Sequence, residues 1–212
     1  MCNLYRMTSA VEAMRQLFAP LDTGGSNLAP QAEIFPGYEA PVIVAGESAR
    51  KLVTMRWGWP GFGEGASGYR RPVTNVRNLS SPMWRNALAD PARRCLVPVT
   101  AFSEWSAQPD PATGRKRKHW FALRDADLFA FAGLWRPTAE GPRYAFLTCA
   151  PNATVGRIHP KAMPVILAAP DAMLTWLTGD AATAAALQCT FADDATVEIE
   201  LPEPAPTQGA LI

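Results

Sequence analysis

The sequence predicts a mixed α+β fold in one domain, and three observations carry that expectation. Short runs rich in β-branched and aromatic residues, bounded by turn residues, fill the middle of the chain. Segments with helical spacing stand near the start and again beyond residue 170. Strand and helix signals do not alternate regularly, which argues against a parallel βαβ sheet. The 212 residues are 48% hydrophobic and 18% charged, the composition of a globular chain. A chain of this length buries about 70% of its unfolded surface and needs no staples. The domain is expected to span 1–201, with residues 202–212 a loosely held Pro/Ala tail.

Ser9 followed by Glu12 reads as a capping box, and Val11, Met14, Leu17 and Phe18 recur at helical spacing, so a helix is expected over 9–19, stopping before Pro20. Pro41–Val44 and Leu52–Trp57 flank Gly46-Glu47-Ser48 as a hairpin would, and Trp57-Gly58-Trp59-Pro60-Gly61 then breaks the sheet. The stretch 70–78 is too polar and punctuated for a core element and reads as a loop. Ser81-Pro82 looks like a cap with proline at the first helical position. Strands are expected at 94–98, 101–105, 119–124, 128–135 and 144–150, with 119–124 and 128–135 paired across an Asp-containing turn. Asp171 and Asp180 each open a helix, and Thr196–Leu201 alternates as a late strand.

Charge and cysteine usage exclude several classes. Twenty Lys+Arg against nineteen Asp+Glu leave a net charge of +1, too little for global attraction to nucleic acid, so any such binding must come from local clusters. No apolar stretch approaches a membrane span and the start lacks a secretion signal, so a cytoplasmic protein without membrane contact is expected. Cys2, Cys95, Cys149 and Cys189 are far apart, and His119 and His159 are the only histidines. That pattern signals neither a metal site nor a disulfide framework, and no cofactor is expected. Cys95 and Cys149 sit in apolar runs and read as small buried hydrophobes.

Cys2 is different, because removal of Met1 would leave it with a free α-amine beside its thiol. Such a 1,2-aminothiol traps aldehydes: the amine condenses to an imine and the thiol closes a thiazolidine ring on the same carbon. Glu104, between Phe102 and Trp105, is either an exposed strand glutamate or a carboxyl whose apolar surroundings let it move protons near neutrality. His159, in a basic turn before an apolar run, is either a proton carrier or a capping or core histidine. His119, beside Arg115–Lys118, reads as part of a solvated hairpin tip. Arg70, Arg71 and Arg77, then Arg93-Arg94, then Arg115–Lys118, form three basic clusters able to line a phosphate groove. Trp57, Trp59, Phe62 and Trp84 are able to stack on bases. The same clusters also fit solvated faces, and the tryptophans fit a core.

Taken together, the motifs resemble the SOS-response-associated peptidase (SRAP) family. The resemblance rests on Met1-Cys2, Met55–Gly58, Thr74–Asn78, Arg94–Pro98 leading into Phe102–Trp105, Ala132–Trp135, Phe146–Asn152 leading into Ile158-His159, and Met163–Leu167, in that order. It implies a mainly antiparallel, barrel-like twisted sheet with peripheral helices, and a protein that shields abasic sites in single-stranded DNA by covalent crosslinking. It further implies that Cys2 is the nucleophile, that Asn75 orients its amine or thiol, and that Glu104 and His159 handle protons. Arg77 would hold a phosphate beside the lesion, and the loop after Trp57 would wedge aromatic side chains against bases. Removal of its own Met1, strand cleavage and crosslink reversal are implied side activities, and a monomer is expected. The chain departs from the family pattern at Asn3-Leu4, where Gly-Arg is usual, at Trp59-Pro60-Gly61, where Leu-Ile-Pro is usual, and by one extra residue between His159 and Met163. Two other classes fit the residues: an amino-terminal-nucleophile cysteine amidohydrolase using Cys2 and His159, and a non-catalytic single-strand binder.

Overall fold

The computed structural model describes residues 2–26, 28–61 and 72–201. The candidate DNA-contacting Arg70 and Arg71, with Phe62 and the tail, lie outside them. In chain order the elements are β1 (Tyr5–Met7), α1 (Val11–Leu17), β2 (Leu21–Asp22), β3 (Gln31–Ile34), β4 (Glu39–Val44), β5 (Arg50–Trp57) and β6 (Asn75–Val76). Then follow α2 (Pro82–Ala89), a 3-10 turn (Pro91–Arg93), β7 (Arg94–Val99), β8 (Ala101–Pro109), β9 (Lys116–Leu123), β10 (Phe129–Arg136) and β11 (Arg143–Cys149). The chain ends with α3 (Ala153–Gly156), β12 (Met163–Pro164), β13 (Ile166–Leu167), α4 (Pro170–Thr178), α5 (Ala181–Ala186) and β14 (Thr196–Ile199).

Five strands close on themselves. β5 pairs with β4, β4 with β7, β7 with β10 and β10 with β11, all antiparallel, and β11 returns to β5 in parallel register through Tyr144 and Trp57. Closure removes the free edges that an open sheet of this size would expose. A second, antiparallel sheet in the order β14-β9-β8-β1-β3 packs on this barrel. Phe102 of β8 stacks on Phe121 of β9 at 5.5 Å and meets Phe131 of the barrel edge-on at 5.7 Å. Tyr5 of β1 lies edge-on to Trp57, Phe131 and Phe146, so one aromatic cluster joins both sheets.

Local chemistry explains most boundaries. Ser81 Oγ accepts from the Met83 amide with Pro82 at the first helical position, and Asp180 caps α5 by accepting from the Thr183 amide at 2.8 Å. Gly58 ends β5 at φ +125°, and a Cβ there would lie 2.7 Å from Pro72, so the turn between Trp57 and Trp59 requires glycine.

Four local expectations are corrected. α1 is capped by Ala10 without a side-chain bond, so Ser9 forms no capping box. Residues 119–124 and 128–135 do not pair; β9 lies between β8 and β14 while β10 belongs to the barrel. The turn between them carries the chain from one sheet to the other. The 70–78 stretch is not all surface loop, because Asn75 and Val76 are buried and pair in parallel with Phe146 and Leu147 of β11. His119 is in the body of β9, its Nδ1 2.6 Å from Glu198 on β14, and not at the tip, which is formed by residues 110–115.

Candidate functional site

The amino-terminal segment is held against β8 from its first described residue. Leu4 O accepts from the Ser103 amide at 2.9 Å, and Leu4 packs with Ala101 and Trp120. This pins Cys2 inside the protein, fully buried, its thiol directed to the carbonyls of Leu4 at 3.5 Å and Ser103 at 3.7 Å. β6 reaches it from the other side: Asn75 Nδ2 donates to Cys2 O at 3.0 Å and to Thr74 Oγ1 at 2.7 Å. Thr74 Oγ1 in turn donates to Asn3 Oδ1 at 3.3 Å. The departure at Asn3-Leu4 thus has a local use, since Asn3 adds a polar tie to the Asn75 strand and Leu4 an apolar anchor under β8.

Glu104 follows Ser103 on β8 and is 1% exposed, which settles the sequence alternative in favour of a buried carboxyl. His159 arrives from α3, whose Asn152 cap accepts from the Val155 amide at 2.9 Å. The His159 amide bonds Val155 O at 2.8 Å, and Ile158 O accepts from the Ala107 amide of β8 at 3.1 Å. These ties bring His159 Nε2 to 3.7 Å from Glu104 Oε2. Four residues from four distant parts of the chain, Cys2, Asn75, Glu104 and His159, therefore meet at one place.

Their electrostatics suit proton transfer near neutrality. Burial raises the Glu104 carboxyl from 4.5 to about 7, against the opposing pull of the amino-terminal charge. Burial, and then the Glu104 charge, raises the Cys2 thiol well above its ordinary value. Burial is also the main cause lowering the His159 imidazole. At pH 7 the thiol and imidazole are neutral and the carboxyl is near its midpoint. Among the described residues no three His, Cys, Asp or Glu side chains gather as metal ligands.

The DNA-contact candidates divide. Arg77 is exposed just beyond Asn75. Trp57 is fully buried, its Nε1 donating to Thr74 O at 3.0 Å, and Trp84 is 4% exposed against Trp59. Both are corrected from stacking platforms to core residues; the motif pointed to an aromatic side chain but not to the face it occupies. Arg94 is fully buried too, donating to the carbonyls of Leu88, Trp176 and Gly179, so the Arg93-Arg94 pair is split between core and surface. Cys95 and Cys149 are buried, and burial holds the Cys149 thiol up at about 11.

Two residues escaped the sequence reading. Trp105, next to Glu104, is 44% exposed, the described tryptophan that presents a face to solvent beside the cluster; its place one residue after an inward-facing Glu104 on a strand was the available signal. Gln188 had none. Its Nε2 donates to Arg77 O and to Thr148 O, both at 2.9 Å, where the β6–β11 ladder stops, and Thr190 Oγ1 bonds Ala150 O two residues further on. This strap sets the spacing between the strand carrying Asn75 and Arg77 and the strand leading to His159.

Comparison with known proteins points one way. The family model described as SOS response associated peptidase (SRAP) matches residues 1–201. The chain is 29% identical over 147 residues to "Abasic site processing protein YoaM" of Bacillus subtilis (strain 168), a match covering 66% of this chain and 62% of that relative's length. Among solved structures, a Bordetella bronchiseptica protein matches with TM-score 0.73 and 25% identity over 94% of this chain and 100% of its own. A Bacteroides thetaiotaomicron protein matches with TM-score 0.74 and 18% identity over 95% and 93%. A phage-related protein of Bordetella bronchiseptica gives TM-score 0.74 and 20% identity over 95% of both chains.

Proposed function

Because the chain belongs to the SOS response associated peptidase family, we propose that it captures abasic sites in single-stranded DNA as a covalent adduct on Cys2, once Met1 has been removed by hydrolysis of the Met1–Cys2 bond. The convergence of Cys2, Asn75, Glu104 and His159 carries this reading. The name of the Bacillus subtilis relative, an abasic site processing protein, supports the same substrate.

The chemistry follows from the groups present. An abasic sugar opens to an aldehyde, and the Cys2 amine adds to its carbonyl carbon. Loss of water from the carbinolamine leaves an imine; the departing hydroxyl needs a proton, and a carboxyl titrating near pH 7 is suited to give it. The thiol then adds across the C=N bond, its sulfur to carbon and its proton to nitrogen, closing the thiazolidine with a net loss of one water. Earlier, when the sugar opens, the anomeric hydroxyl loses a proton and the ring oxygen gains one, and a neutral imidazole 3.7 Å from Glu104 is suited to carry it. Asn75, bonded to Cys2 O, fixes the direction in which the amine points. Arg77 supplies a cation for the flanking phosphate and Trp105 a face for a flanking base. The same steps in reverse would reopen the ring; from the imine, the carboxylate form of Glu104 could instead take a proton from the adjacent sugar carbon, a C=C bond forming as the 3′ phosphate leaves, which cleaves the strand.

The test is intact mass before and after incubation with an oligonucleotide carrying one abasic site, without reductant. The expected result is a starting chain lacking Met1 and an adduct equal to protein plus DNA minus one water. A chain lacking Met1 that forms no adduct overturns the reading. Acylation by a small amide would then favour the amidohydrolase, and salt-sensitive reversible binding the non-catalytic binder.

A further inference from the structure

On the outer end of the barrel, between α2 and the last residues of β10, lies a cavity of about 460 Å³ that the capture chemistry does not use. Two indoles, Trp59 and Trp135, line it, and each carries a guanidinium on its ring: Arg136 lies 5.6 Å from the Trp59 centroid and Arg93 5.0 Å from that of Trp135. Among the described residues, the N–H of both indoles is buried without an acceptor, although Trp59 is only 3% exposed. Both nitrogens are closed off from solvent, so the donors open to a ligand in the cavity are those of the two guanidiniums. The carboxylate in the lining, Asp90, is already engaged: one oxygen caps the 3-10 turn at the Ala92 amide, and the other lies 3.8 Å from Arg93. The lining thus combines guanidinium donors, a positive balance, the half-buried indole of Trp135 and the apolar side of Met83.

We propose that this cavity binds one nucleotide of single-stranded DNA flanking the lesion, its base against the half-buried Trp135 and the Arg93 guanidinium upon it, and its phosphate on Arg136. The inference rests on the capture reading for its choice of ligand, and the backbone supports that choice. Trp59 exchanges main-chain hydrogen bonds with Val73 at 2.9 and 2.8 Å. From Val73 the chain runs through Asn75 and exposed Arg77 into α2, the other wall of the cavity. A strand held at Arg77 needs only to follow this segment to reach Arg93. The volume suits one nucleotide, within the range of small-ligand sites. Arg93, one of the basic cluster residues noted in the sequence, thereby has a use that buried Arg94 does not share.

The experiment compares wild type with an Arg93→Gln, Arg136→Gln double variant; both side chains are partly exposed and outside the capture cluster. Affinity is read by fluorescence anisotropy on single strands built around an unreactive abasic analogue and lengthened one nucleotide at a time on each side. In wild type, one added nucleotide is expected to tighten binding about tenfold, the scale of a single base stacked on an aromatic group. The double variant should lose that step, show a salt slope lower by about one to two, and capture the shortest reactive strand at the wild-type rate. Equal affinities and slopes for both proteins at every length overturn the proposal. Tryptophan quenching by an acidic peptide but by no oligonucleotide also overturns it, and makes the cavity a protein-docking site. Failure of wild type to form an adduct overturns the capture reading alone, because the unreactive strands still report on the cavity.

Discussion

Glu104 and Arg94 are both charged residues removed from water, 1% and 0% exposed, and the fold treats them in opposite ways. Among the described residues Arg94 is bonded to main-chain acceptors only, Nε to Leu88 O at 2.8 Å and Nη1 to Trp176 O at 3.1 Å and Gly179 O at 2.6 Å, with its ring partner Trp176 alongside. It ties the ends of α2 and α4 to the start of β7, and it does so as a permanent cation. Glu104 instead faces other ionisable side chains, Cys2 and His159, and burial brings it to about 7. A buried charge bonded to backbone carbonyls builds structure. A buried charge set among titratable groups, at a cost in stability, is available for chemistry.

That contrast can be broken by substitution. The largest effect is expected at Cys2: Cys2→Ala removes the thiol, and reductant-free adduct formation should fall below detection on denaturing gels while urea unfolding shifts little. Next comes Arg94→Met, which leaves three carbonyls without their donor. It should cost about 3–5 kcal/mol in chemical denaturation.

Glu104→Gln should separate stability from activity. The carboxyl holds its proton more tightly when folded, so wild type loses stability as pH rises from about 4.5 to about 7 and the loss is complete above that. The variant should therefore match wild type near pH 4 and exceed it by up to about 3 kcal/mol at pH 8, measured by urea unfolding across pH. Its capture rate should fall about a hundredfold or more, and the alkaline limb of the pH–rate profile, set by loss of the Glu104 proton, should disappear. The smallest effect is expected at Gln188. Gln188→Glu sets a carboxylate against three carbonyls; it should destabilise by about 1–3 kcal/mol and flatten the salt slope of DNA binding by about one, as the Arg77 phosphate contact loosens.

The fold was legible where local chemistry decides it. The Ser81-Pro82 start, the β4–β5 hairpin and the Asp180 cap stand as the sequence reads them, because capping and alternation act over a few residues. The pairing of Asn75-Val76 with β11 was not legible: two residues carry no periodicity, and their partners lie seventy positions away. The same reason hid Gln188, whose role depends on three carbonyls from two other segments. In the site, residue types pointed to Cys2, Glu104 and His159, since an aminothiol, a carboxyl between aromatics and a rare histidine each suggest chemistry alone. Trp57 and Trp84 were misplaced because an indole's composition does not say which side of a sheet it faces.

If the amine and thiol of Cys2 act on the same carbon, Cys2→Ser should leave the first bond and lose the second, since it keeps the amine and replaces the ring-closing atom. Wild type and variant are incubated with abasic single-stranded DNA, with and without borohydride, and resolved under denaturing conditions. Wild type should give an adduct in both lanes, and the variant only with borohydride, as a reduced imine. A variant adduct that survives without borohydride would rule out ring closure by the thiol as the source of stability.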